Sequence, residues 1–208
     1  MAQVKKEAVR ARILEAAARM FEEKGYVGSS MGQIAQRAHV SSANIYAYYP
    51  SKLDIVFAIF EPWIIERINQ IELEARSIKN PKQRLTYVLA RLWRDIPRER
   101  NNFFNNFIQA IAVSTSAEGY RPSILIAMRE RIRGLVVDCL PEGRNQGVDT
   151  DAFTHLAVMA FDGFVINGHL TSDSTYIDRI VEATCMLLLG EGGEETSAKS
   201  TTKARAKS

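Results

Sequence analysis

Cysteine is scarce in this 208-residue chain, and long uninterrupted apolar runs and strand-like alternation are nearly absent. Its two cysteines, Cys139 and Cys185, each lie in an apolar helical pattern. Buried free thiols fit that setting better than a redox pair or a metal site. No stretch approaches the roughly 18 apolar residues that a membrane span requires. The opening Met1-Ala2-Gln3-Val4-Lys5-Lys6-Glu7 has no apolar core of the secretory kind. A reducing, cytoplasmic setting is therefore expected. Signatures of catalysis are missing too: there is no nucleophile elbow, phosphate loop or paired histidine motif. His155 and His169 fall fourteen residues apart on one expected helix, too far to share a metal. An enzyme is the weaker reading, and neither cofactor nor metal is expected.

Charge is present in both signs, but unevenly. Residues 1–52 carry eight Lys/Arg against four Glu, whereas residues 53–195 carry fifteen basic against twenty acidic groups. The last thirteen residues add Lys199, Lys203, Arg205 and Lys207 with no acid. A basic head on an acidic body suits a chain that approaches a polyanion by its head alone.

Helical periodicity runs almost end to end, so an all-α fold is expected. Val9, Ile13, Ala16, Ala17, Met20 and Phe21 mark one face of a first helix that Gly25 stops. Ser30 to Gln33 reads as a capping box opening a second helix with Met31, Ile34, Ala35 and Ala38 inward. Ser41 caps a short third helix, and Ser51 with Asp54 caps a fourth, in which Pro62 predicts a kink or break. Asn80-Pro81 opens a fifth helix that Pro97 closes, and a sixth carries Phe103 to Ile111. A seventh runs from near Pro122 to Pro141, ahead of a polar loop over 142–148. Two last helices are predicted over about 150–170 and 175–189, joined by Thr171 to Ser174. From Gly190 the composition is polar and of low complexity, which reads as a disordered basic tail over 191–208.

Residues 30–49 carry the functional signal: a short capped helix, a tight turn and a second helix. In helix-turn-helix units the second helix enters the major groove while the first braces it. Outward on the third helix lie Ser42, Ala43, Asn44, Tyr46, Ala47 and Tyr48, a small, polar face without carboxylate. It can meet phosphates without repulsion. From pattern alone, a solvated helical hairpin fits equally well.

The run Ile13-Leu14-Glu15-Ala16-Ala17, Phe21, Lys24-Gly25-Tyr26, Ser29-Ser30-Met31, Ile34-Ala35, Ala38, Val40-Ser41, Ile45-Tyr46 and Tyr48-Tyr49-Pro50-Ser51-Lys52 resembles the DNA-binding domain of TetR-family regulators. The resemblance covers about residues 6–66. It implies that Ser30 and Ser41 cap their helices and touch phosphates, and that Tyr46 and Tyr48 meet the DNA backbone. Ser42, Ala43, Asn44 and Ala47 would face bases, and Lys52 would pair a phosphate. Two departures stand out. His39 occupies a turn position where the family usually has glycine, and Ala43-Asn44 replaces a Gly-Thr pair.

Over residues 67–190 the resemblance implies a helical body that binds an effector and dimerises through its last two helices. Phe153, Ala157, Ala160, Phe164, Ile177, Val181 and Leu188 are the expected dimer residues, with Gly163 and Gly168 permitting close helix approach. Aromatic enrichment in the body marks Phe60, Trp63, Tyr87, Trp93, Phe103, Phe107, Met128 and Phe161 as candidates to line an apolar pocket. A filled core has the same composition. The expected partners are thus a palindromic duplex operator, a small apolar or aromatic effector and a second copy of the chain. A constitutive or architectural DNA-binding protein is the alternative.

Overall fold

The computed structural model describes residues 2–99, 103–114, 122–140, 147–170 and 175–190. Among these, every regular element is helical: α1 (Ala2–Lys24), α2 (Met31–Arg37), α3 (Ser42–Tyr48), α4 (Lys52–Ser77), α5 (Pro81–Ala90), α6 (Phe103–Val113), α7 (Pro122–Val137), α8 (Thr150–Leu170) and α9 (Thr175–Leu189). The fold is all-α, with a head of three helices followed by a helical body. The loop over 142–146, the link over 171–174 and the tail from 191 lie outside the described residues.

Helix starts follow their caps. The Ser30 hydroxyl accepts from the Gln33 amide while the Gln33 side chain receives the Ser30 N–H, a complete capping box. Ser41, Ser51 and Asn80 cap α3, α4 and α5 through the amides of Asn44, Asp54 and Gln83. The turn between α2 and α3 places His39 at φ 54, the left-handed region expected from its standing in for glycine.

Two prolines lie where a helix is expected to be interrupted. Helix α4 runs unbroken through Pro62. The ring costs one backbone bond to the Ala58 carbonyl, but Phe60, Ile64 and Ile68 on the same helix are buried to 1% exposure or less. Packing of that face holds the helix together. It also carries α4 across position 66, where the head was expected to give way to the body. Pro97 does not simply end α5 either. The chain widens into a π-turn over Arg91–Asp95, with the Ile96 amide bonded to the Arg91 carbonyl, and tightens into a 3₁₀ turn over Ile96–Arg98. Proline cannot donate to the Trp93 carbonyl, so regular α geometry stops before it.

One continuous core runs from Ile13 in α1 to Leu189 in α9. Helices α4 and α6 both pack against α1, so head and body share it. Cys139 and Cys185 are buried free thiols, and burial pushes the Cys139 thiol up to about 11, far from a reactive thiolate.

The link from α1 to α2 depends on two glycines. Gly25 adopts φ 73 at the end of α1, and a Cβ on Gly28 would lie 2.4 Å from the Lys24 carbonyl oxygen. Gly28→Ala should therefore lower stability by about 1–3 kcal/mol. His39→Gly, which releases a left-handed L-residue, should raise it by about 1 kcal/mol. Urea midpoints at unchanged m-value measure both, and equal midpoints in the three proteins would refute this account of the two turns.

Candidate nucleic-acid interface and the core behind it

The recognition surface is built from a short helix braced on its inner side. Ile45 and Tyr49 are buried and fix α3 on the head, leaving Ser42, Ala43, Asn44, Tyr46 and Ala47 exposed and Tyr48 half-buried. Ser30 and Ser41 are also exposed, with their hydroxyls already occupied at the helix starts. These eight candidate DNA residues thus lie on or beside the exposed sides of α2 and α3. Arg37 and Glu23 form a two-pronged pair at 2.5 and 2.6 Å between α2 and α1. The bond from Arg37 holds the Glu23 carboxyl below its ordinary value. Beside this pair, Arg12, Arg19 and His39 line a cleft of about 220 Å³ between α1 and the α2–α3 turn.

Lys52 is held by the chain's own groups. Its ammonium donates to the carbonyls of Tyr26 and Ser29, each at 2.6 Å, and lies 4.0 Å from the centre of the Tyr26 ring. A cation held by two carbonyls and an aromatic face is committed to the protein. Lys52 therefore anchors the start of α4 to the α1–α2 link.

The same link is gripped from the other side by a residue that sequence reasoning missed. Asn106 of α6, 4% exposed, accepts the Tyr26 N–H at 2.6 Å and donates to the Phe21 carbonyl at 3.1 Å. The Ser29 hydroxyl closes the knot by donating to the Gly25 carbonyl at 2.7 Å. The available signal was the pair Asn105-Asn106 between Phe104 and Phe107 on a largely apolar helix.

Behind the knot the body's rings divide into two groups. Phe60 of α4 stacks on Phe107 at 3.8 Å between ring centres and meets Phe103, Phe104 and Trp63 at 5.7 to 6.5 Å. Phe161 of α8 closes on Phe104 at 5.1 Å. Five candidate ligand residues, Phe60, Trp63, Phe103, Phe107 and Phe161, are thus brought together, and Met128 is buried in the same continuous core.

Tyr87 and Trp93 are not part of that group. The Tyr87 hydroxyl donates to Glu74 at 2.6 Å on the outer side of α5, where burial and that carboxylate push it up to about 12. The Trp93 indole donates to the Ala157 carbonyl at 3.0 Å and packs on Phe164. Both residues serve as struts between helices. Two clefts on the body, one of about 210 Å³ beside Glu72, Arg131 and Asp138 and one of about 690 Å³ beside Tyr87, Ala90 and Arg91, do not reach the ring group.

Helices α8 and α9 hold the expected dimer residues. Ala157, Ile177, Val181 and Leu188 are buried within the chain, and Phe153, Ala160 and Phe164 are partly buried against the core. The first four face the chain's own core, while the other three keep part of their surface outside it. The outward apolar residues are instead Leu156 (60% exposed), Met159 (68%) and Ile166 on α8, with Ile180, Met186 and Leu187 (79%) on α9. A Cβ on Gly163 or Gly168 would meet nothing within 4 Å, so both glycines open outward. Asp162 reaches solvent on this side of α8, yet the surrounding protein pushes its carboxyl up to about 6.

With this geometry the comparisons are specific. Residues 13–59, from the middle of α1 into α4, match the family described as bacterial regulatory proteins, tetR family. The match covers the DNA-binding head and stops short of the body. The fatty acid metabolism regulator protein of Bacillus subtilis is 29% identical over 80 residues, 38% of this chain and 41% of that protein. The chain thus matches about two fifths of the length of that curated relative. Among solved structures, PfmR of Thermus thermophilus, a TetR-family regulator, is 25% identical with a TM-score of 0.57, over 86% of this chain and 97% of that one. FadR of Bacillus subtilis, solved with stearoyl-CoA, is 18% identical with a TM-score of 0.59 over the same shares. The last likeness is one of fold. These relatives are transcriptional regulators and not enzymes.

The internal use of Lys52 has a measurable consequence. Lys52→Ala should lower stability by about 1–3 kcal/mol while leaving the salt dependence of DNA binding unchanged. Asn44→Ala, on the exposed face of α3, should instead alter preference at one or two base pairs by about 1–3 kcal/mol. Titrations at several salt concentrations separate the two, and a slope reduced by about one in Lys52→Ala would restore a phosphate contact.

Proposed function

We propose that the chain is a homodimeric, cytoplasmic, sequence-specific DNA-binding repressor released from a palindromic operator by a small apolar ligand held in its body. Residues 6–66 form the DNA-binding unit and 67–190 the regulatory and dimerising unit. The observation that carries the reading is the exposed, carboxylate-free face Ser42–Tyr48 on a braced helix, at one end of a body with an uncovered apolar stripe. Exposed apolar residues recur along both α8 and α9, and exposed apolar surface of this kind marks an interaction site. A two-fold dimer through it would place two recognition helices in successive major grooves.

Ligand release is supported by the placement of the rings. Helix α4 begins at Lys52, beside the head, and carries Phe60 and Trp63 into the ring group. An occupant that parts Phe60 from Phe107 would move the far half of that helix. It must favour the non-binding arrangement to release DNA, since equal binding to both states shifts nothing. The relative solved with stearoyl-CoA makes a long acyl chain one candidate occupant. The 3.8 Å stacking of Phe60 on Phe107 favours a second reading, a constitutive DNA-binding protein with a filled core.

Selection of bound duplexes from a random-sequence pool, followed by light scattering of the free protein, tests the main reading. Enrichment of an inverted repeat and a dimeric mass are expected, whereas a monomer that enriches no sequence would end it. Met159→Glu and Leu187→Glu should each yield monomers, because each sets a charge into the apolar stripe. Monomeric wild type would refute the stripe as an interface.

Asp162 adds a pH dependence. Its carboxyl takes up a proton more readily in the folded chain than in the unfolded one, so ionisation disfavours the packed state. Stability should therefore fall as pH rises from 3.8 through about 6. Asp162→Asn should flatten this part of the profile. Thermal midpoints across that range check it, and identical profiles for the two proteins would exclude Asp162 as the cause.

For the ligand, Trp63→Ala should leave DNA affinity nearly intact while abolishing release by palmitoyl- or stearoyl-CoA or by aromatic probes. If no member of such a panel releases DNA from the wild type, the constitutive reading stands.

A further inference from the structure

Asn106 is a buried amide in the middle of a helix whose other inward residues are apolar. Phe104, Phe107 and Ala110 of α6 are buried around it, and Phe103 packs on Phe60 and Trp63. Its two bonds reach the Tyr26 amide and the Phe21 carbonyl, five residues apart across the left-handed turn at Gly25. Contact with two such points fixes α6 against both sliding along α1 and rotation about it, which apolar packing alone does not specify. Helix α6 packs on α1, α4 and α8, so it joins the head, the ring group and a helix of the proposed dimer face.

We propose that Asn106 is a positioning residue for operator recognition: its amide locks the tilt of the head on the body and so sets the distance between the two recognition helices of the dimer. The inference rests on the dimeric DNA-binding reading above. Directionality is the reason for an amide at this position. A buried amide gains little net stability, but it leaves unpaired groups in every register except one. The C-terminal end of α1 therefore has one seat on α6. Because Phe103, Phe104 and Phe107 flank Asn106 on the same helix, repacking of the ring group would be carried to that seat.

The test uses the full chain and duplexes recovered from the random pool, remade with one or two base pairs added to or removed from the spacer between half-sites. The wild type should prefer its own spacing by about tenfold. Asn106→Ala should keep the same half-site sequence but discriminate between spacings only about twofold. A merely structural loss would weaken binding to all spacers alike. Uniform weakening with the wild-type spacing preference therefore overturns the proposal. If Asn106→Ala fails to fold, Asn106→Ser, which keeps one hydroxyl in the site, decides between the same two outcomes. A wild type that enriches only single half-sites, or no duplex, fails earlier and overturns the dimeric DNA-binding reading together with this one.

Discussion

The arrangement of this molecule depends on how the backbone of one residue is held. Tyr26 follows the left-handed turn that ends α1, and its N–H and C=O point to opposite neighbours. Asn106 of α6 takes the first and Lys52 of α4 takes the second. A helix terminus leaves its last carbonyls without intrahelical partners, and burying them unpaired would be costly. Here the Phe21 carbonyl in the last turn of α1 accepts from the Gly25 amide and from Asn106, and Tyr26 just beyond the helix is held by both helices that lead into the body. The end of α1 is thus the place where head and body are tied, and the tie consists of directed hydrogen bonds. Apolar contact surrounds it, since Tyr26 is buried and packs on Phe21 at 5.8 Å between ring centres.

From that tie the ring group gains its mechanical meaning. Phe60 and Trp63 lie two to three turns along α4 from Lys52, while Phe103, Phe104 and Phe107 bracket Asn106 on α6. The two helices that grip Tyr26 are therefore the two whose rings interdigitate. A close-packed group of rings transmits displacement because it has few alternative packings. Phe161 extends the group to α8, whose opposite side carries Leu156, Met159 and Ile166. One layer of aromatic side chains thus connects the α1–α2 link with the helix that presents the uncovered stripe.

Most of the architecture was legible in the residues because local signals and burial agree along the chain. Caps at Ser30, Ser41, Ser51 and Asn80 open their helices where the pattern places them, and His39 adopts the left-handed turn its position implies. Pro62 does not break α4 because proline's local penalty of one lost hydrogen bond is outweighed by a buried face running the length of that helix. The dimer residues are less legible for a different reason. Periodicity identifies an apolar face but not what covers it, and α8 and α9 are apolar on two sides. Val181 and Leu188 fall on the side covered by the chain's own core, and Leu187 falls on the other.

Lys52 and Asn106 show why the site was harder to read than the fold. Each is polar, and each acts through a partner in a distant part of the chain, 26 and 80 residues away at Tyr26. A lysine at the start of a helix next to a basic head suggests an external anion when seen alone. Its geometry shows that the nearer competitors are the protein's own carbonyls, left over where α1 ends and α2 has not yet begun. The chemistry that exposes those carbonyls is visible in sequence as Gly25 and Gly28, which stop one helix and force a tight link. What sequence does not reveal is which side chains arrive to satisfy them. That depends on how α4 and α6 are seated, and their seating depends in turn on these bonds. Such mutual dependence is a property of the folded whole. It also explains why two polar residues, and not another pair of apolar ones, stand at the junction: apolar surfaces would hold head and body together, but only directed bonds give them one relative orientation.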